Sequence, residues 1–293
     1  MTHPPSDALI IGYGDIGRRV AELELAEGRS VAALVRSPAK WADHPPPVPL
    51  LIAGDLDISA RISPLPEPPS VLYWFAPPPS SGENDPRISR FLTNLTPGQR
   101  PGKVVYISTS GVYGDCQGAW VTENQPLAPR TDRARRRWAA EQCLTEWASQ
   151  TGVAYVILRV PGIYGPGRLP VERLQHGLPV ITPEEAPYSN RIHADDLASI
   201  CVAAARYSGD LTVFNVSDGH PTTMTDYFMQ VAAVLKLQSP PVISMEEART
   251  RFSASLLSFV EESRRMDNRL MREVLGIRLR YPNLALGLPA SLP

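Results

Sequence analysis

ALIIGYGDIGRRVAELELAEG, residues 8–28, changes character twice. It opens as a short apolar run, passes through a glycine-rich turn and continues with helical periodicity. Gly12-Tyr13-Gly14-Asp15-Ile16-Gly17 is a G-x-G-x-x-G element. The spacing alone is weak, but a strand before it and a helix after it supply the context that gives it meaning. Gly12 is expected to permit the tight turn, Gly14 to let the backbone approach a pyrophosphate, and Gly17 to let helix and strand pack closely. Free N–H groups at the helix start suit phosphate oxygens. Tyr13, Asp15 and Ile16 fall in the same candidate dinucleotide contact.

Outward from this turn, the chain repeats the apolar run: SVAALVRS (30–37), PLLIAGDL (49–56), SVLYWFAP (70–77), KVVYISTS (103–110), VAYVILRV (153–160) and LTVFNVSD (211–218). Nearly continuous apolar strands separated by helix-length segments indicate a parallel sheet covered on both faces. The expected fold class is α/β, a Rossmann-like doubly wound parallel sheet. After residue 219 the strand signals fade. TTMTDYFMQVAAVLKL (222–237) and SRRMDNRLMREVLG (263–276) read as helices, each opened by a Ser or Thr cap. The boundaries drawn are 1–163 with 191–219 for the nucleotide-binding domain, and 164–190 with 220–293 for a smaller, mostly helical substrate lobe. Proline runs at 44–49, 63–69 and 76–80 break the chain into short elements.

The totals narrow the class. The chain has 293 residues, 29 basic and 30 acidic, with a net charge of −1, which excludes a dedicated nucleic-acid binder of the usual basic kind. Cys116, Cys143 and Cys201 are far apart and lack metal-ligand spacing, so they read as small buried side chains. No stretch reaches the ~18 apolar residues that span a bilayer. The N-terminus carries no secretory pattern. A cytoplasmic protein, with no membrane or nucleic-acid partner, is the expectation.

The end of the second strand bears on the cofactor. An NAD site commonly places an acid there to accept from the ribose hydroxyls. Here the strand ends Leu34-Val35-Arg36-Ser37. Arg36 can pair with a 2′-phosphate and Ser37 can donate to it, which predicts NADP over NAD. The alternative for Arg36 is a solvated surface cation.

Taken together, these segments resemble the extended and atypical short-chain dehydrogenases/reductases, in particular the NAD-dependent epimerase/dehydratase group, over nearly the whole chain. GDL (54–56) resembles the family's adenine-contacting segment, which implies cofactor contacts for Asp55 and Leu56. WFAPPP (74–79) stands where the family has a turn over the cofactor, which implicates Phe75, Ala76 and Pro77. ISTSGVYGD (107–115) resembles the active-site serine strand, making Ser110 and Thr109 the matching hydroxyls. LRVPGIYGPGR (158–168) is similar to the turn lining the nicotinamide, through Pro161, Gly162 and Ile163. RIHADDLA (191–198) and FNVSDGHPTTM (214–224) resemble segments that return to the sheet and leave it. The resemblance implies an oxidoreductase or epimerase acting on a small polar or nucleotide-linked sugar. Tyr113, Arg191 and His193 become candidate substrate contacts, Arg191 for a phosphate. Tyr113, Tyr164 and His193 also read as packing residues, and any of the three, Tyr164 above all, as a substitute acid. Asp195 and Asp196 read as a helix start.

One segment departs from the family pattern. In TDRARRRWAAEQ (131–142), the tail WAAEQ sets the register against the family's Tyr-x-x-x-Lys. Arg133 then stands where the tyrosine belongs and Arg137 where the lysine belongs. An arginine can hold ribose hydroxyls, so Arg137 covers part of the lysine's role. With an ordinary pKa above about 12, an arginine cannot cycle a proton near neutrality. Arg133 can still stabilise negative charge. The other reading is a solvated helix face: Arg133, Arg137 and Glu141 share one face, Glu141 can pair with Arg137, and Arg135 and Arg136 turn to water. Gly152 would end this helix. A second function therefore stands beside the first: a non-catalytic NADP-binding reporter or regulatory protein that has lost the dyad. The resemblance also implies a homodimer, pairing through the helices at 131–150 and 84–96, where Trp138 and Trp147 could contribute.

Overall fold

In a computed structural model of the chain, residues 7–41, 50–58 and 68–292 are described. The proline runs at 44–49 and 63–67 lie outside them. The chain divides into two compact units. The first comprises Met1–Val112, Asp132–Arg159 and Leu197–Phe214, and the second Tyr113–Thr131, Val160–Asp196 and Asn215–Pro293. The boundaries drawn from sequence differ: they gave 113–131, 160–163, 191–196 and 215–219 to the nucleotide-binding domain. In the structure these segments make most of their contacts within the second unit, although they flank strands of the first in sequence.

The first unit is built on a seven-stranded parallel sheet. Its early strands are β1 (Ala8–Ile11), β2 (Val31–Val35), β3 (Leu50–Ala53), β4 (Val71–Trp74) and β5 (Lys103–Thr109). In the sheet the order is Val213–Asn215, Ala154–Val160, β5, β4, β1, β2, β3. The chain runs outward from β1 to β3, returns to β4 on the other side of β1, and continues the opposite way. The strand order reverses between β1 and β4, and the crevice at the carboxyl ends of these strands is where such a sheet binds ligands. β1, β2 and β4 are buried throughout. That burial is the physical content of their unbroken apolar sequences.

Three helices matter for the site. α1 (Asp15–Ala26) follows the glycine turn. α2 (Pro86–Thr93) starts at Asp85, whose carboxylate accepts from the Arg87 N–H at 3.0 Å, with Pro86 in the first turn. α3 (Asp132–Thr151) contains the basic run and stops at Gly152, whose φ is +73° and whose N–H reaches the Ala148 carbonyl at 2.9 Å. Ile88 and Leu92 of α2 and Ala140 and Leu144 of α3 pack with Leu72, Trp74, Val104 and Tyr106 of the sheet.

The second unit holds short strand pairs and helices. Gly162–Tyr164 lies parallel to Arg191–His193, and Tyr188–Ser189 antiparallel to Thr222–Thr223. Its core gathers Tyr164, Leu174, Tyr227, Phe228, Val231 and Leu284. The segment 222–237 forms the expected helix, Met224–Val234, capped by Thr223. SRRMDNRLMREVLG does not form one helix. Arg265–Met266 pairs as a strand with Trp120–Val121, and helix begins only at Arg269. Pairing with a distant strand overrides the local helical pattern. Cys201 is buried, whereas Cys116 and Cys143 are only half-buried, contrary to the expectation for all three. No helix among the described residues is long and apolar enough to cross a membrane.

Candidate cofactor cleft and active site

A cleft of about 650 Å³ opens in the first unit, lined by Gly12, Tyr13, Gly14, Arg36, Ser37, Asp55, Leu56, Phe75, Ala76 and Pro77, among others. Such a volume suits a small-molecule or cofactor site. The glycines divide the work. Gly12 has φ +99°, and a Cβ there would stand 2.3 Å from the Ala76 nitrogen. The turn is drawn so close because the Phe75 and Ala76 N–H groups both donate to the Ile11 carbonyl, at 2.7 and 2.9 Å. A Cβ on Gly17 would meet the Gly12 carbonyl oxygen at 2.7 Å, so helix and turn pack there as expected. A Cβ on Gly14 would meet nothing within 4 Å. No protein neighbour requires glycine at that position, which faces open space beside the start of α1. A closely approaching phosphate would supply the requirement, and the donors of a helix start suit it. The residues present thus fit a dinucleotide. Asp15 opens α1 and pairs with Arg19 at 2.9 Å, and Ile16 is buried beneath the turn. Burial pushes the Tyr13 phenol up to about 12.

Arg36 is exposed at the rim, with Ser37 half-buried beside it. Sequence reasoning passed over the opposite wall. Arg87 of α2 grips Asp57 with two hydrogen bonds, of 2.7 and 2.6 Å, and donates to the Pro77 carbonyl at 2.7 Å. Arg90 donates to the Leu56 carbonyl at 3.0 Å. Helix α2 therefore ties the loop after β3 to the turn after β4.

At the carboxyl end of β5, Thr109 Oγ1 accepts from the Gly111 N–H at 3.2 Å, and Ser110 opens a short helical turn with 7% exposure. A Cβ on Gly111 would touch the Ala134 Cβ at 3.4 Å. The first turn of α3 thus packs on the hydroxyl-bearing end of β5, which brings Ser110 and Thr109 to the helix carrying Arg133 and Arg137. Arg137 donates to the Ile107 carbonyl at 2.9 Å and to the Tyr106 hydroxyl at 3.4 Å. Arg133 is half-buried.

Two expectations for this helix need correcting. Glu141 does not pair with Arg137. It is buried with Arg159 at 2.9 Å and accepts from the Ser108 hydroxyl. Arg159 comes from the neighbouring strand, a partner that helical spacing cannot reveal. Arg136 does not turn to water either. It is buried and donates to the Gly82 carbonyl at 2.6 Å. Arg135 keeps the surface role, pairing with Asp132 at 2.8 Å and Glu83 at 3.3 Å.

The remaining candidates belong to the second unit. Tyr164 and His193 are fully buried, with ring centroids 5.2 Å apart, and Tyr281 stacks on His193 at 4.0 Å. His193 Nδ1 accepts from the Asp195 N–H at 3.2 Å, where Asp195 and Asp196 open the helix Ala194–Arg206. Burial pushes the Tyr164 phenol up, and its hydroxyl donates to the Asn283 carbonyl at 3.3 Å. The Tyr113 hydroxyl donates to Asn215 Oδ1 at 2.6 Å. The Arg191 guanidinium lies 4.3 Å from the Tyr227 ring centroid, donates to the Asn190 carbonyl at 2.9 Å, and forms no ion pair among the described residues. Gly162 stands opposite it in the strand pair, and a Cβ there would meet the guanidinium at 2.7 Å. Pro161, Gly162 and Ile163 thus have positions within the second unit, with Gly162 making room for Arg191. Asp218 is buried, and burial pushes its carboxyl up to about 7.

The profile of the NAD dependent epimerase/dehydratase family matches residues 8–217. Uncharacterized protein y4nG of Sinorhizobium fredii is 30% identical over 163 residues, 53% of this chain and 40% of that protein. The chain spans less than half the length of the curated relatives it matches. A functionally unknown conserved protein from Silicibacter pomeroyi is 28% identical, with TM-score 0.78 and 97% coverage of both chains. UDP-glucuronic acid 4-epimerase from Bacillus cereus, solved in complex with NAD, shares the fold at TM-score 0.75 and 16% identity, over 97% of this chain and 96% of that one.

Proposed function

Because the chain belongs to the NAD dependent epimerase/dehydratase family, we propose that it binds NADP in the first unit's cleft and acts as an oxidoreductase or epimerase on a small polar or nucleotide-linked sugar. The carrying observation is the open space at Gly14 beside the start of α1, in a cleft whose rim bears Arg36 and Ser37. When bound, the nicotinamide supplies hydride transfer. Arg36 and Ser37 take the 2′-phosphate, Asp55 and Leu56 flank the adenine, and Phe75, Ala76 and Pro77 cover the nucleotide. Ser110 and Thr109 hold the reacting oxygen of the substrate. Arg133 and Arg137 contribute fixed positive charge there, stabilising a developing oxyanion without exchanging a proton. Arg191 is half-buried, and desolvation disfavours its cation. An anionic substrate group would compensate that loss.

The arginines at 133 and 137 also favour a second reading, a protein that binds NADP without turnover. Single-turnover assays with NADPH and a panel of keto-sugars decide between the two. Oxidation of NADPH that is lost in Ser110→Ala supports the enzyme. Tight NADPH binding with no turnover across the panel supports the reporter. Binding of NADH at least as tight as that of NADPH rejects the cofactor assignment common to both.

A further inference from the structure

Among the described residues, four charged side chains line the cleft: Arg36, Asp55, Asp57 and Arg87. Their formal charges cancel. Arg36 can serve a 2′-phosphate only while its field is not spent on a carboxylate nearby. Asp57 is such a carboxylate, about half exposed in the same cleft. The Arg87 hydrogen bonds chiefly hold its carboxyl below the usual range, and the positive charges of Arg87, Arg90 and Arg36 add to the effect in that order. Both carboxylate oxygens of Asp57 are engaged by one planar guanidinium, at 2.7 and 2.6 Å. This forked geometry is the strongest form of the pair. The third Arg87 bond, to the Pro77 carbonyl at 2.7 Å, fixes the guanidinium from the other side.

We infer that Arg87 is a specificity-determining residue for the phosphorylated cofactor, because it keeps Asp57 from competing with the 2′-phosphate for Arg36. The inference rests on the reading of Arg36 as the partner of that phosphate. Removing Arg87 leaves the described lining with a net charge of −1 and a free carboxylate in the field of Arg36. A 2′-phosphate is repelled by that change. NADH, which lacks the phosphate, is nearly indifferent to it.

Fluorescence titration of the full chain with NADPH and with NADH at low salt tests this. In Arg87→Ala the NADPH affinity is expected to fall about tenfold and the NADH affinity by less than about twofold, the scale of one unscreened charge at a surface cleft. Adding Asp57→Asn to that variant restores NADPH binding to within about threefold of the parent, since the offending charge is gone. Asp57→Asn alone, which keeps Arg87, raises the NADPH-to-NADH preference and serves if Arg87→Ala does not fold. Equal losses for the two nucleotides, or no rescue by Asp57→Asn, overturn the inference and leave Arg87 as a tie between two loops. The assignment beneath it fails by a different sign: Arg36→Ala leaves the preference unchanged, or the parent binds NADH as tightly, and the inference falls with it.

Discussion

A Cβ at Gly12 would stand 2.3 Å from a backbone nitrogen on a residue with φ +99°, whereas one at Gly14 would meet nothing within 4 Å. The two glycines of one motif therefore answer to different forces, one to the fold and the other to the ligand. Gly12→Ala is expected to destabilise the protein by more than about 2 kcal/mol, from backbone strain and overlap together. Gly14→Ala should leave stability within about 0.5 kcal/mol of the parent and weaken NADPH binding. Urea denaturation and nucleotide titration of the two variants check this, and loss of stability in Gly14→Ala without loss of affinity would contradict it. The motif was legible in the sequence because its spacing is local. The arginines were legible only in part. Register against WAAEQ makes positions 133 and 137 candidates only, and the Arg136 contact with Gly82 joins residues 54 apart and has no local signature.

Helix α3 carries those arginines, and its seating depends on a buried pair. Glu141 meets Arg159 at 2.9 Å, with side-chain exposures of 5% and 7%. The Ser108 hydroxyl completes the Glu141 shell from β5. The network fixes the helix against two strands whose carboxyl ends bear the candidate chemistry. Taking one member away strands a charge in the interior, so Glu141→Gln is expected to cost about 3–5 kcal/mol. Replacing both, as Glu141→Leu with Arg159→Met, should recover most of that stability, since a buried ion pair adds little over apolar packing of similar volume. Chemical denaturation of the single and double variants measures it. A cost for the double variant as large as that for the single would refute the account. The element itself was read correctly as a helix ending at Gly152, because periodicity and a terminal glycine are local properties. Its partners were misread, because the pairing crosses from helix to sheet.

For the whole molecule, the pH dependence of stability sums carboxylates that act in opposite directions. Asp7, Asp57 and Asp267 have folded values held below the ordinary 3.8, chiefly by hydrogen bonds, so the stability they add is present above that value and is lost as pH falls through the folded one. Asp218 runs the other way. Its folded value of about 7 lies above the ordinary 3.8, so its contribution is full below about pH 4 and is lost as pH rises through about 7. Asp218→Asn should therefore gain stability over the parent progressively between those limits and level off above them. Unfolding curves across the range test the difference, and a flat difference would show that Asp218 titrates normally. The sequence alone determined the sheet, the glycine turn and the candidate cofactor residues, because each is written in neighbouring residues with a fixed period or spacing. Only the tertiary structure decided which residues share a unit, what Glu141 and Arg136 hold, and that Arg87 neutralises Asp57. Those are pairings between residues far apart in the chain, and their energies depend on distance and burial, which sequence order does not encode.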